Sequence, residues 1–443
     1  MPHMRRRDFQ VAAATALAGA TIPHVHAGES GTIRLALIGC GGRGSGAVIN
    51  AMNSVHGPVS LHAMADVVES RLSSALGALS RECGNRVDVP KERQFIGFDA
   101  YAHAIDCLRP GDVAMLTSFA YVRPMQLEYA VRKGVNVFME KSFGPDAPSL
   151  RRMLRAGEEA ARKNIKIAAG LQCRHSVNRQ ELIKRIRDGE IGDVVMVRAY
   201  RVHPAGGLRV PKPAETSELL WQIRNFTHFL WVSGGLWAEM DIHQVDELCW
   251  LADQWPAVAR AFGGRAATSD DRGQNLDSVS VEWTFPDGAK GFDGVRWLGG
   301  KCFTDFATYV HGTKAAAQFS GNVHRGTTRI YKDQRCTRET IVWEAPEEKI
   351  DPWNAQWNAF LQAIREDRPH NDVERAVKSN LATLMGRAAL HSGREITWDE
   401  MNASNFQFFP GRIDDLTYDT VPPVLPDADG FYPVPVPGVW NET

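Results

Sequence analysis

The chain has 443 residues, too many for one hydrophobic core, and its 44% hydrophobic and 23% charged residues are the balance of a folded protein. Its 51 Lys and Arg offset 52 Asp and Glu with no long basic run, so no nucleic-acid partner is expected. The seven cysteines are scattered without a CxxC pair, which sets aside a zinc ribbon and a disulfide-stapled scaffold.

The N-terminus reads as an address. Arg5-Arg6-Arg7-Asp8-Phe9 precedes a mildly apolar run from Val11 to Ile22, and Val25-His26-Ala27 offers a small-residue cleavage site. The pair Arg6-Arg7, with Phe9 two residues on, resembles a twin-arginine export signal over 1–27. Export in the folded state to the periplasm or beyond is therefore expected. Past this leader no run of about 18 apolar residues occurs, so no membrane anchoring is expected.

Ile33 to Ile38 has the composition of a strand, and Gly39-Cys40-Gly41-Gly42-Arg43-Gly44 follows it directly. An amphipathic stretch through Ala47, Val48 and Met52 comes next. Gly39, Gly41 and Gly44 fit G-x-G-x-x-G, in which glycines allow a tight turn, close approach to a pyrophosphate, and helix–strand packing. A second strand from Val59 ends at Asp66, where a carboxylate would accept hydrogen bonds from an adenosine ribose. A dinucleotide is the expected ligand, and Asp66 favours NAD over NADP because a carboxylate repels a 2′-phosphate.

Strand-like runs at Val113–Leu116, Val135–Met139 and Ile165–Ala169 alternate with helical patterns at Ala100–Leu108, Met125–Arg132 and Ser149–Lys163. Such alternation predicts parallel βαβ units in a doubly wound sheet. Ligands bind beyond the carboxyl ends of such strands, which brings Thr117 and Glu140-Lys141 to the cofactor. Gly39, Gly41, Gly42, Arg43, Gly44, Asp66, Thr117, Glu140 and Lys141 form the candidate cofactor-binding set. After residue 190 the pattern changes to long alternating runs at Val194–Arg201, Val279–Phe285 and Gly291–Trp297. They predict an open, mostly antiparallel sheet covered by helices on one face. All 12 tryptophans lie at or beyond Trp221. The expected organisation is α/β throughout: a Rossmann domain over 31–170, a substrate domain over 171–403, and a Pro-rich extended arm over 404–443. Helices within 353–391 are expected to pack back on the Rossmann domain.

Together, Gly39-Cys40-Gly41-Gly42-Arg43-Gly44, Val137-Phe138-Met139-Glu140-Lys141, and Gly234-Gly235 leading to Glu239-x-x-x-His243-x-x-Asp246 resemble the Gfo/Idh/MocA family. The segment Ala169-Gly170-Leu171-Gln172-Cys173-Arg174-His175 is similar to its exported branch. The resemblance spans about residues 31 to 400. It implies an NAD(P)-dependent oxidoreductase acting on the secondary alcohols of sugars or cyclitols, with the active site between the two domains. Two positions depart from the family pattern: Ser142 stands where a proline usual to it follows the lysine, and Glu239 where it has an aspartate.

Alcohol oxidation needs a hydride acceptor and a group to handle the hydroxyl proton. Lys141 and His243 are the candidates for the proton, with Glu239 orienting the His243 ring from one helical turn away. Arg174, His175 and Asp246 are candidate substrate contacts. Three alternatives remain. The family's glycosidase branch uses NAD through a transient oxidation. Glu239, Asp241, His243 and Asp246 could instead ligate a metal in a periplasmic hydrolase, although no metal is expected. A non-catalytic sugar sensor could keep the same fold. An open sheet face suggests a homo-oligomer, a dimer or a tetramer.

Overall fold

The central strands of the first sheet are largely apolar and buried on both faces, and the computed structural model pairs them in parallel. It describes residues 31–266, 269–322 and 326–443; the leader expected over 1–27 lies outside the described residues. The six strands are β1 (Ile33–Ile38), β2 (Val59–Asp66), β3 (Gln94–Ile96), β4 (Val113–Leu116), β5 (Asn136–Met139) and β6 (Ile167–Ala169). Their order is β3-β2-β1-β4-β5-β6, so the chain reverses direction across the sheet between β1 and β4. That switch point is where a doubly wound sheet opens a crevice.

Successive side chains alternate between the faces. Leu35, Leu37, Val113, Met115 and Phe138 meet α1 (Gly42–Met52) and α2 (Glu69–Cys83). Ala36, Ile38, Leu116, Val137 and Met139 meet α3 (Ala100–Asp106), α4 (Arg123–Lys133) and α5 (Ala147–Arg162). The helix α2 and the three-residue strand β3 fall outside the patterns expected from the sequence, because β3 offers only Phe95 and Ile96 as apolar signal.

Beyond α6 (Val177–Arg187) comes a nine-stranded sheet. Its strands are β7 (Val194–Val202), β8 (Val258–Gly264), β9 (Ser278–Thr284), β10 (Lys290–Arg296), β11 (Asp305–Gly312), β12 (Ala316–Ser320), β13 (Arg329–Tyr331), β14 (Ile341–Glu344) and β15 (Ile396–Thr397). Neighbours are antiparallel except β7 and β10, which run parallel because the chain crosses over between them. Between β7 and β8 lie α7 (Glu218–Arg224), α8 (Leu230–Ser233), α9 (Gly235–Met240) and α10 (Ile242–Ala252). One sheet face carries Val197, Ala199, Val281, Trp283 and Val295 against α10 and the later α12 (Val373–Ser392). The other face shows half-buried residues, with Arg198 stacked on Tyr309.

One helix from late in the chain completes the first domain. α11 (Pro352–Arg365) places Trp357, Phe360, Leu361 and Ile364 in the same core as β1 and α1, and Trp357 stacks on Phe138 with ring centres 4.5 Å apart. Arg365 donates to the carbonyls of Gly31, His56 and Pro58, and the His370–Asp372 backbone bonds to Ile167 on the free edge of β6. α12 runs between α5 and the second sheet. After α13 (Trp398–Ala403) the chain has no regular element, yet it is anchored at both ends. Near its close the Glu442 carboxylate is fully buried, accepting from the Arg387 guanidinium at 2.6 and 2.9 Å and bonded to His391 at 2.9 Å. Burial alone would raise this carboxyl, but Arg387 and His391 hold it down at about 2.

The place of α11 in the first domain's core is testable. Trp357→Ala should lower stability by about 3–5 kcal/mol, the cost of deleting a large buried aromatic. Val342→Ala, on the outermost strand and 62% exposed, should change it by less than about 0.5 kcal/mol. Urea unfolding of the two variants measures the difference.

Candidate functional site at the carboxyl ends of the parallel strands

The glycine loop owes its shape to contacts that no other residue tolerates. Gly39 has φ 95°, and a Cβ there would meet the Ser118 nitrogen at 2.5 Å. A Cβ on Gly44 would lie 2.5 Å from both the Gly39 carbonyl and Thr117 Oγ1. Thr117 Oγ1 itself donates to the Gly39 carbonyl at 2.6 Å, tying the loop to the end of β4. Gly41 and Gly42 differ, because a Cβ on either would meet nothing within 4 Å. Their missing side chains leave an open cradle over the start of α1, whose N-terminal residue Gly41 provides no side-chain cap. The first-turn N–H groups are thus left to an anion, which the helix dipole favours.

Asp66 closes the same cleft, a space of about 1050 Å³ open to solvent. Its carboxylate accepts from the Cys40 N–H at 2.7 Å and the Val68 N–H at 2.8 Å. Burial pushes its pKa up, and those two N–H groups oppose the rise. Each oxygen keeps acceptor capacity for a ribose hydroxyl. Val67, Arg71, Gly97, Phe98 and Tyr101 form the wall beyond it.

Lys141 and Glu239 line the opposite end. Lys141, just past β5, donates through Nζ to the Glu239 carbonyl at 2.6 Å and to Glu239 Oε2 at 3.0 Å. The other carboxylate oxygen accepts from Ser142 Oγ at 3.1 Å, and that hydroxyl lies 2.9 Å from the Ser233 carbonyl. Ser142 therefore supports Glu239, a role the sequence did not suggest. Arg123, also unanticipated, is buried at the start of α4 and donates to the carbonyls of Leu116, Ser118 and Ser142, pinning the ends of β4 and β5. Burial lowers its pKa to about 10, against the pull of Glu239 and Glu140. Glu140 and Arg43, both named from the sequence for the cofactor, bond each other at 2.7 Å.

The remaining candidates lie elsewhere. Glu239, expected to orient the His243 ring, turns its carboxylate to Lys141 and Ser142 instead, because the α9–α10 junction aims it at the end of β5. His243 is buried in the first turn of α10 and does not line the cleft. Arg174 and Asp246 form a two-pronged ion pair at 2.8 and 2.9 Å under the Trp250 ring, and Ser379 donates to the same carboxylate. Burial would raise Asp246, but Arg174 holds it below the usual carboxylate range. The pair is thereby committed to packing α10 rather than presented to the cleft. His175 is buried, and that burial lowers its pKa to about 4. Among the described residues no three His, Cys, Asp or Glu gather as a metal would need. Asp241, buried one residue before α10, is pushed up to about 7 by burial, opposed by Arg201 and Lys141.

Residues 180–318 match the model of the GFO/IDH/MocA C-terminal domain. That match covers most of the second sheet and the helices between β7 and β8. Among curated relatives, inositol 2-dehydrogenase of Arthrobacter sp. (strain FB24) is 25% identical over 191 residues, which are 43% of this chain and 50% of the relative. Inositol 2-dehydrogenase 1 of Paenarthrobacter aurescens (strain TC1) is 24% identical over 39% of this chain and 47% of its own. The chain thus matches about half the length of these curated relatives. Whole-fold likeness extends further. Aldose-aldose oxidoreductase from Caulobacter crescentus, complexed with glycerol, superposes with a TM-score of 0.63 at 17% identity, covering 83% of this chain and 99% of its own. Scyllo-inositol dehydrogenase from Lactobacillus casei, with bound NAD(H) and scyllo-inositol, gives 0.61 at 20% identity, covering 83% and 99%. The fold of the present chain is theirs: a Rossmann-like parallel sheet followed by a mixed, mostly antiparallel one.

The two kinds of glycine make opposite expectations. Gly44→Ala should damage the fold, because its Cβ has no room. Gly41→Ala should keep the parent's melting temperature yet weaken dinucleotide binding at least tenfold, because the methyl group fills the cradle. Thermal melts beside NADH fluorescence titrations separate the two effects.

Asp241 generates a pH expectation. Its folded pKa near 7 lies above the usual carboxylate value, so the fold favours the neutral acid. The associated stability is complete below about pH 4 and is lost as pH rises through 7. Asp241→Asn removes that loss. The variant's melting temperature relative to the parent should therefore climb between pH 5 and pH 8; a constant offset would show that Asp241 titrates normally.

Proposed function

We propose that the chain is an oxidoreductase that moves a hydride between a nicotinamide dinucleotide and a secondary alcohol carbon of a sugar or cyclitol. The observation that carries this reading is a single cleft with a glycine cradle and Asp66 at one end and the Lys141–Glu239 pair at the other. The inositol 2-dehydrogenases among the relatives, and the NAD(H)-bound scyllo-inositol dehydrogenase of like fold, support it. When bound, the nicotinamide supplies the hydride acceptor. Everything else falls to the chain's own residues. The cradle and the first turn of α1 hold the pyrophosphate, and Asp66 holds the adenosine ribose, which favours NAD over NADP.

Lys141 spends two of its three donors on Glu239 and keeps one for a substrate oxygen. An ammonium fixed there would stabilise the alkoxide that develops as the hydroxyl gives up its proton, before hydride transfer turns it into a carbonyl. Glu239 holds the ammonium in place, and Ser142 and Arg123 hold the strand end that carries it. The hydroxyl proton also needs an acceptor, and His243, behind the cleft wall one turn beyond Glu239, is proposed to receive it by relay through the polar groups that line the cleft. The arginine pair in the leader adds export to the proposal, with the cofactor loaded before transit.

Lys141→Ala and His243→Ala should each bind NAD nearly as the parent does while turnover falls about 10²–10⁴-fold, the usual share of acid–base catalysis. The double variant should lose little more than either single one, since residues acting together are not additive. Single-turnover reduction of bound NAD, after a screen of hexoses, inositols and aryl glycosides, measures both. Reduction at the parent's rate by His243→Ala would remove the histidine from the mechanism. Aryl glycoside cleavage without net NADH would move the reading to a hydrolase.

A further inference from the structure

The C-terminal arm backs the wall of the cleft at the end marked by Asp66. Its first part is bonded to the first domain. The Phe409 carbonyl accepts from Tyr121 at 2.7 Å, and Asp414 pairs with Arg152 at 3.4 Å. Tyr418 then donates its hydroxyl to the Val67 carbonyl at 2.9 Å, one residue past Asp66. Its ring stands edge-on to Phe98, with centres 5.2 Å apart, and Val67 and Phe98 both line the cleft. The later part of the arm belongs to the second domain. The Val424 carbonyl accepts from Gln222 at 2.8 Å, Tyr432 donates to Glu218, and Glu442 is buried against Arg387. Within the first set, Leu416 is buried in one cluster with Ile223, itself part of the cleft wall.

A segment fastened to both domains and bonded to two residues of the cleft wall is not a loose tail. From this placement we infer that Tyr418 is a positioning residue for the dinucleotide site, holding Val67 and Phe98 at the adenosine end. This rests on the proposed function, because Asp66 marks the adenosine end only if a dinucleotide binds. Tyr418 buttresses the backbone that follows Asp66 and backs Phe98, the ring against which an adenine would lie. Tyr418 is 41% exposed and carries little of the core, so its loss loosens this wall without unfolding the protein. A loosened wall holds the adenosine half less firmly, and the dinucleotide leaves faster.

The test reads release directly and needs no sugar. The full-length parent, Tyr418→Phe and Tyr418→Ala are loaded with NADH and mixed with excess NAD in a stopped-flow fluorimeter, and the loss of NADH fluorescence gives the dissociation rate. Tyr418→Ala should release NADH about tenfold or more faster, as expected for losing one hydrogen bond and one ring contact. Tyr418→Phe, which loses only the hydroxyl, should fall between it and the parent. Melting temperatures of the unliganded proteins should agree, which separates a binding role from a structural one. Equal release by Tyr418→Ala and the parent would overturn the inference while leaving the proposed function intact. A parent that binds neither NADH nor NADPH would overturn both.

Discussion

Lys141 and Glu239 come from different domains, and their ion pair fixes how the two meet. The lysine lies two residues past the end of β5, the glutamate sits on α9, and 3.0 Å separates the charges. Both are largely withdrawn from water, so neither can be left alone without an unpaired charge in a poorly solvated place. The pair therefore demands a precise approach of the Gly234-Gly235 segment to the first sheet, and neighbouring polar groups serve that demand. Arg387 reaches the Pro145 carbonyl on one side and lies beside Gly234 on the other. Asn380 accepts from the Phe143 N–H and donates to the Gly144 carbonyl.

The two departures from the family pattern become one feature when seen in space. Ser142 lacks the ring of a proline but brings a hydroxyl, and Glu239 has a longer stem than an aspartate. The longer stem lets one carboxylate span the lysine ammonium and the serine hydroxyl. Read along the chain, these are two separate departures. Folded, they form a continuous set of hydrogen bonds that keeps the ammonium in the cleft.

What the sequence made legible was local. The glycine loop, the strand ending at Asp66 and the alternation of strands and helices follow from patterns a few residues long, and the structure places them on one crevice. Lys141 was readable for the same reason, as a residue just past a buried strand. Apart from α2 and the short β3, the misses involve partners far apart in the chain. Nothing near Arg123 signals that it would cap two strand ends, because its acceptors are backbone carbonyls that no residue type reveals. Arg174 and Asp246 looked available for substrate, but they satisfy each other across 72 positions. Glu442 stands in a Pro-rich stretch that reads as an extended arm, and only the distant Arg387 and His391 explain its burial.

The late helix α11 has a consequence for how the protein is made. The first sheet lacks part of one face until Trp357, Phe360 and Leu361 arrive, and the β6 edge stays bare until residues 370–372 bind it. These contacts close loops of some 200 to 300 residues, far longer than those within a single βαβ unit. Such closures slow folding, because their entropy is lost before the contacts return anything. A growing chain can therefore assemble β1 to β6 early but cannot seal them until nearly all of the second domain has been synthesised. The parallel-sheet half, first in the sequence, is among the last parts to become rigid.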